Sequence, residues 1–95
     1  MHLCMIRSFA SKDTEQLFDD EFVKAYAGFE RQARRKLLLL HTAQNLSDLR
    51  VPPGNRLEVL KGDRAGQHSI CINDQWRICF RWDGGARDVE IVDYH

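Results

Sequence analysis

The last three residues, Asp93, Tyr94 and His95, place a carboxylate, a phenol and an imidazole side by side. Each group can accept, donate or orient a proton, and an unperturbed histidine titrates near pH 6.5. These are the groups that general acid–base catalysis employs. Because chain ends usually tolerate change, a terminus this rich in proton-transfer groups indicates a site.

Arg77 is a second candidate, in the middle of a strictly alternating segment at residues 75–82. The alternation predicts a half-buried antiparallel strand, with Trp76, Ile78, Phe80 and Trp82 on one side and Arg77, Cys79 and Arg81 on the other. An arginine on the side away from the apolar row needs a partner. That partner is either a neighbouring carboxylate or an anionic ligand.

Metal-dependent and nucleophilic chemistry find little support in the sequence. The four histidines form no H-x-x-x-H pair, and the carboxylates match neither an EF-hand nor a two-metal pattern. No G-x-S-x-G elbow is present. Cys4, Cys71 and Cys79 lack C-x-x-C spacing, which favours free thiols over a cross-strand disulfide. We therefore expect neither a metal nor a cofactor.

Hydrophobic periodicity predicts the elements that would position these groups. Helices are expected near residues 14–18, capped by Ser11 or Asp13, and from Gly28 or Phe29 to Gln44, with a further helical turn at 45–50. Strands are expected at 5–9, 56–60, 68–72, 75–82 and 87–94. This order predicts an α+β fold, with two N-terminal helices packed on one face of a mainly antiparallel β-sheet.

The predicted core contains the row from Trp76 to Trp82 together with Phe29, Leu37 and Leu40. His41 is expected on the solvent side of its helix. For His68 two placements are equally open: the substrate side of the sheet, or a position that merely fills the sheet.

Length and composition fit one domain spanning residues 1–95, with 43% apolar residues. The net charge is zero, but residues 31–64 carry eight basic and three acidic side chains, a net charge of +5. Arginine suits forked contacts to phosphate, although the modest basicity argues against stand-alone DNA binding. No membrane-length apolar run and no signal peptide are present, so a cytoplasmic protein is expected.

The loop at residues 61–66, KGDRAG, joins two predicted strands and lacks the G-K-[ST] of a phosphate-binding loop. Taken alone, it is an ordinary hairpin turn. The functional alternative is a tip that presents Lys61 and Arg64 to phosphates.

Five segments together resemble a known family: MIRSF at 5–9, PGNRLE at 53–58, LKGDRAGQHSI at 60–70, NDQWRICF at 73–80 and VEIVDYH at 89–95. They are similar to the HigB, or plasmid-maintenance killer, toxins of the RelE/ParE superfamily of type II toxin–antitoxin systems. The resemblance covers nearly the whole chain. Residues 1–4 lie outside it and are expected to be an N-terminal addition.

The resemblance implies a metal-free endoribonuclease that cuts messenger RNA in the ribosomal decoding site. It implies a cognate HigA-like helix-turn-helix antitoxin, with operator DNA reached only through that antitoxin, and no membrane. The implied catalytic residues are Lys61, Arg77, Asp93, Tyr94 and His95. Arg64 is the implied phosphate contact, and Arg56, Glu58, His68 and Arg81 complete the expected RNA-binding set.

Elementary chemistry fits these assignments but leaves the proton roles open. Cleavage of RNA without metal requires an activated 2′-hydroxyl, a stabilised phosphorane and a protonated leaving group. Asp93, Glu58 or His95 could activate the hydroxyl, and Tyr94 could stack a splayed base. Some relatives carry histidine where this chain has Glu58, so the general base is not fixed.

Three other hypotheses share the fold: a gyrase-poisoning toxin of the ParE branch, a module that only binds antitoxin and operator, and a degenerate toxin kept as a scaffold. The proton-transfer groups at the terminus argue against the first, because gyrase poisoning would not need them. Glu58 keeps the last hypothesis open.

Overall fold

The computed structural model describes residues 5–93, so Tyr94, His95 and residues 1–4 lie outside the described part of the chain. Two α-helices precede a four-stranded antiparallel sheet, with short 3-10 helices in the connections. The elements are α1 (Lys12–Phe18), α2 (Glu30–Thr42), β1 (Glu58–Val59), β2 (His68–Cys71), β3 (Trp76–Trp82) and β4 (Ala86–Asp93), with 3-10 helices at Lys24–Tyr26, Leu46–Arg50, Pro53–Asn55 and Gly62–Arg64. The α+β class predicted from sequence is confirmed.

Both helices begin and pack as their sequences dictate. Ser11 caps α1, since its Oγ accepts a hydrogen bond from the Thr14 N–H at 3.3 Å. The spacing of Ala33, Leu37 and Leu40 places these three residues on one stripe of α2, and all three are buried. The predicted helices are confirmed, with α2 slightly shorter at both ends than expected.

The strands lie in the order β1-β2-β3-β4, and their register sorts side chains onto two faces. One row crosses all four strands on what we call the arginine face: Glu58, Ser69, Cys79 and Glu90, with Cys71, Arg77 and Val92 in the neighbouring row. The opposite, core face carries Ile70, Ile78, Phe80 and Ile91. The alternation expected for β3 is therefore observed.

A single apolar cluster joins the core face to the helices. It contains the buried Leu17 of α1, Leu37 and Leu40 of α2, and the core-face residues Ile78 and Phe80. Full burial of a Leu, Ile or Phe side chain stabilises a fold by about 1.5–3 kcal/mol. The predicted core is confirmed for these side chains, whereas Phe29, Trp76 and Trp82 are half-buried against it.

The strand expected at residues 5–9 is wrong: the segment forms only an isolated parallel bridge between Phe9 and Val89. Hydrogen bonds from the N–H groups of Arg7 to Ala86 and of Ala10 to Val89, at 2.8 and 2.9 Å, flank the bridge. A regular ladder cannot extend here because β4 carries a bulge at this point. The strand expected at 56–60 is likewise reduced to Glu58–Val59, since Arg56 adopts a left-handed conformation, with φ of 48°.

The β4 bulge is a one-residue shift in register. Cys79 lies opposite Glu90 but Arg81 lies opposite Arg87, so β4 uses one residue more than β3 over this stretch. Asp88 occupies the irregular position with φ of 52°. Its N–H donates to Ser8 Oγ at 2.9 Å, which ties the bulge to the N-terminal segment.

His41 is not solvated as expected. Its Nδ1 accepts a hydrogen bond from the Ile6 N–H at 3.2 Å, and its ring lies 5.1 Å from that of Phe18. Cys71 and Cys79 are free thiols, as expected. Over residues 5–93, no helix is long and apolar enough to cross a membrane.

Candidate functional site

Arg77 is held on the arginine face by three oxygen atoms. Its Nε donates to Ser69 Oγ at 2.9 Å, and its Nη2 donates to the Arg56 carbonyl at 2.8 Å. The same Nη2 lies 3.5 Å from Glu58 Oε1. With 8% of its side chain exposed, Arg77 is a buried cation whose orientation is fixed by its neighbours.

The Arg56 carbonyl is aimed at Arg77 because the preceding loop is anchored inside the protein. Asn55, which is fully buried, donates from Nδ2 to the carbonyls of Leu49 and Val51 at 3.1 and 3.3 Å. Lys36 of α2 donates from Nζ to Asn55 Oδ1. Helix α2 thus fixes the loop that in turn fixes Arg77.

A cleft of about 290 Å³ opens beside this guanidinium. Its lining consists of Arg56, Glu58, Cys71, Asn73, Asp74 and Arg77. Asn73 shapes the rim, since its Oδ1 accepts from the N–H groups of Gln75 at 2.8 Å and Trp76 at 2.9 Å. Two cations and two carboxylates line one small space, so the cleft can bind an anion only where Glu58 and Asp74 leave the cations accessible.

Further along the arginine face, Arg64 belongs to a second polar group. Its Nη1 donates to Glu90 Oε2 at 2.9 Å and to Gln67 Oε1 at 3.0 Å. Between the two arginines lies Cys79, whose pKa is raised by burial, although the nearby Arg64 and Arg77 charges oppose that effect. A thiol with a raised pKa stays protonated and is a poor nucleophile.

Lys61 and Arg81 are both exposed, at different places on the molecule. Lys61 lies two residues after the end of β1 and precedes the Gly62–Arg64 turn, where its carbonyl accepts from the Arg64 N–H at 3.3 Å. Arg81 lies beyond Cys79 on β3, and its Nε is 3.5 Å from Asp88 Oδ2. Both cations are accessible to a large anionic ligand, but neither lines the Arg77 cleft.

Asp93 ends β4 in register with Trp76, whereas Arg77 is in register with Val92. Residues opposite one another in an antiparallel pair point to the same face, so Asp93 lies on the other side of the sheet from Arg77. Its Oδ2 accepts from Gln75 Nε2 at 3.1 Å. Tyr94 and His95, also predicted for the site, lie outside the described residues.

His68 does not line the Arg77 cleft. It is in register with Phe80 on the core face, with the two rings 5.8 Å apart. Its Nδ1 is buried without a hydrogen-bond partner within residues 5–93, and burial lowers the pKa of the imidazole. It instead borders a second groove of about 290 Å³, which is lined by Leu46, Ser47, Arg50, Leu57, Glu58, Val59 and His68.

Of the predicted site residues that the structure describes, Arg56, Glu58 and Arg77 line one cleft, and the remaining ones lie outside it: Lys61, Arg64, His68, Arg81 and Asp93. Sequence reasoning missed Ser69, the buried hydroxyl that holds Arg77 Nε. A signal existed, because Ser69 is a small polar residue next to Ile70 inside a predicted strand. Within residues 5–93, no three His, Cys, Asp or Glu side chains are grouped as a metal site would require.

Comparisons with known proteins identify the family to which this chain belongs. Residues 7–95 match the family model of the RelE-like toxin of type II toxin–antitoxin system HigB. Toxin HigB-1 of Vibrio cholerae serotype O1 is 39% identical over 93 residues, which cover 96% of this chain and 98% of that protein. Endoribonuclease HigB of Proteus vulgaris is 31% identical over 93 residues, covering 96% of this chain and all of that protein. The chain therefore belongs to the HigB family of RelE-like toxins from type II toxin–antitoxin systems.

Proposed function

We propose that this protein is an endoribonuclease that cleaves messenger RNA during translation, and that Arg77 stabilises the phosphate under attack. The observation that carries the proposal is the buried guanidinium of Arg77, fixed by Ser69 and Arg56 beside an open cleft. Membership of the HigB family and the endoribonuclease named in Proteus vulgaris support it.

We infer that both helices cover the core face and leave the arginine face open to RNA. Leu17 of α1 and Leu37 of α2 share one cluster with Ile78 and Phe80, whereas Arg77 does not belong to that cluster. The proposed domain comprises residues 1–95, with residues 1–6 outside the region that the family model matches.

The proposed reaction is attack of the 2′-oxygen on the adjacent phosphorus, with departure of the 5′-oxygen. A preorganised cation at the developing charge contributes about 10²–10³ in rate, and Arg77 is such a cation. Lys61 and Arg64 would contact neighbouring phosphates, and Arg56 and Arg81 would bind the flanking RNA. Tyr94 would stack a base, and His95 would protonate the leaving oxygen, so that no metal or cofactor takes part.

The role of general base falls to Glu58 or Asp93. Glu58 is 51% exposed and approaches Arg77 to 3.5 Å, so it lies where the attacking hydroxyl must come. Asp93 lies on the other side of the sheet from Arg77, at the end of β4. The cleft geometry therefore favours Glu58 over Asp93.

The proposed partners are a HigA-like helix-turn-helix antitoxin, the ribosome and messenger RNA, with operator DNA bound only through the antitoxin. The cytoplasm is the compartment in which such partners meet, and no membrane is involved. Family membership supports the antitoxin partner directly.

The test is to map messenger RNA 5′ ends by primer extension after brief induction in cells. Wild-type protein is compared with His95→Ala, and with Arg87→Ala as a control, because Arg87 is an exposed arginine that forms an ion pair with Asp83 and lines neither cavity. We expect in-frame cuts with the wild type and the control, and none with His95→Ala. Growth arrest without new 5′ ends would contradict the proposal and lead to a DNA-supercoiling assay for gyrase poisoning.

A further inference from the structure

Glu90 of β4 is a half-buried carboxylate that has no role in the reaction proposed above. It lies opposite Cys79 in the row of the arginine face that begins at Glu58, so a carboxylate stands at each end of this row. Its side chain is 27% exposed. A carboxylate withdrawn from water to this degree needs a cation or a hydrogen-bond donor nearby, and Arg64 is that partner.

The contact between Arg64 and Glu90 is short. Arg64 Nη1 donates to Glu90 Oε2 at 2.9 Å and to Gln67 Oε1 at 3.0 Å. By contrast, Arg81 approaches Asp88 only to 3.5 Å, and the Asp88 side chain is 53% exposed. A charge-assisted hydrogen bond between partly buried groups holds a side chain more firmly than a long contact in solvent does. The Arg64 guanidinium is therefore held by its neighbours.

This contact anchors the loop that carries Arg64. The loop contains the 3-10 turn Gly62–Arg64, whose N-cap residue is Lys61. Its backbone bonds are local: the Arg64 N–H donates to the Lys61 carbonyl at 3.3 Å, and the Gln67 N–H donates to the Arg64 carbonyl at 3.0 Å. The contact with Glu90 instead joins residues 26 positions apart and ties the turn to β4. Because Lys61 begins the same turn, the anchor also restrains the backbone at Lys61.

The anchor places Arg64 on the side of the sheet where Arg77 lies. Glu90 shares its row with Cys79 and Ser69, and Ser69 is the residue that holds Arg77 Nε. Both guanidinium charges act on the Cys79 thiol, where they oppose the effect of burial on its pKa. Two cations near one uncharged thiol can contact neighbouring phosphates of a single RNA strand, and such contacts fix the position of the strand.

We propose that Glu90 is a positioning residue for RNA cleavage, which holds Arg64, and with it the turn that begins at Lys61, against the arginine face. The inference rests on the proposed function and adds to it a residue that touches neither the RNA nor the reacting atoms. An arginine that is already oriented loses less side-chain freedom when its ligand binds. That saving is the physical advantage of the ion pair.

The test is a double-mutant cycle on the full chain, with cleavage of messenger RNA in a purified translation system as the readout. We expect Glu90→Ala to lower kcat/KM by about tenfold to a hundredfold, because a binding group is misplaced. The double variant Arg64→Ala/Glu90→Ala should cleave no more slowly than Arg64→Ala, since Glu90 acts through Arg64. Glu90→Gln, which keeps an acceptor oxygen, should lose less than Glu90→Ala.

Asp83→Ala is the matched control, because Asp83 forms an ion pair with Arg87 at 3.1 Å and lines neither cavity. It should cleave like the wild type. A urea denaturation curve for each variant shows whether the folded state is kept.

Four outcomes would overturn the inference and leave the proposed function standing. They are wild-type cleavage by Glu90→Ala, faster cleavage by Glu90→Ala because the carboxylate competes with phosphate for Arg64, losses that add in the double variant, and a loss of cleavage that only follows unfolding. Wild-type protein that cleaves no RNA refutes the proposed function and this inference together.

Discussion

Two cavities of equal volume, about 290 Å³ each, border the short strand β1, and their linings differ. The Arg77 cleft is lined by charged and polar side chains, whereas the groove beside Val59 also has three aliphatic residues in its lining, Leu46, Leu57 and Val59. Glu58 belongs to both. Side-chain alternation along β1 explains the difference, because Glu58 lies on the arginine face with Ser69 and Val59 lies on the opposite face with His68.

The two cavities also differ in how their buried polar groups are satisfied. The Arg77 guanidinium lies within 3.5 Å of Ser69 Oγ, the Arg56 carbonyl and Glu58 Oε1. In the groove, His68 Nδ1 is buried with no partner among residues 5–93. The polar groups of the cleft are thus held in place by hydrogen bonds. In the groove, the unpaired Nδ1 of His68 destabilises the fold, and it does so least when the imidazole is neutral.

The largest expected effect comes from removing a core side chain that lies beside the groove. Phe80 is fully buried on the core face and lies against His68. Replacing Phe80 by Ala should lower the free energy of unfolding by about 3–5 kcal/mol, through lost burial and a new cavity. Urea denaturation followed by fluorescence measures this loss. A decrease below about 1 kcal/mol would show that the core relaxes around the site.

Arg77→Ala should damage the cleft and spare the groove. We expect RNA cleavage in a purified translation system to fall by about 10²–10³, while antitoxin binding stays unchanged. Because the substitution also leaves Ser69 and the Arg56 carbonyl without their partner, Arg77→Lys and a denaturation curve are needed beside it. Cleavage that survives in folded Arg77→Ala would exclude Arg77 from the reaction.

Glu58→Gln tests the residue that the cavities share, with a smaller effect. Removing the carboxylate from beside Arg77 should tighten RNA binding roughly fivefold, the value of about 1 kcal/mol that a half-exposed ion pair provides. Single-turnover cleavage should fall at the same time if Glu58 is the base. Asp63→Gln is the control, since Asp63 is an exposed carboxylate outside both cavities. Unchanged RNA affinity would show that Glu58 does not compete with phosphate.

The smallest expected effect is a pH dependence of the free energy of unfolding, which arises from His68 in the groove. Burial lowers the pKa of the folded-state imidazole, so the unfolded chain binds the proton more readily. Stability should therefore decrease as the pH falls through the unfolded-state pKa near 6.5. His68→Phe, which keeps the contact with Phe80, should show a smaller decrease between pH 7 and 5. Identical pH profiles would mean that His68 titrates normally in the fold.

Sequence alone predicted much of this arrangement, because periodicity controls it. The i, i+4, i+7 spacing of Ala33, Leu37 and Leu40 fixed α2, and alternation along β3 placed Arg77 opposite Ile78 and Phe80. The two placements it left open for His68 are decided by register: pairing with Phe80 puts the ring on the core face.

The parts that sequence could not predict depend on single backbone conformations and distant partners. The left-handed Arg56 shortens β1 and turns its carbonyl to Arg77. The contact from Lys36 to Asn55 joins a helix to a loop without any local signal. His41 was expected in solvent because its hydrogen-bond donor, the Ile6 N–H, lies 35 residues away in the sequence and leaves no local signal.

The bulge at Asp88 has a consequence for the timing of synthesis. Ser8 and Asp88 are 80 residues apart, yet the N-terminal segment has β4 as its docking strand. Ribosomes add about 5–20 residues per second, so roughly 4–16 seconds separate the emergence of the two partners. During that interval the segment at residues 7–10 has no β4 to contact, and β3 lacks its pairing with β4. The N-terminal segment can therefore dock only after β4 has been synthesised.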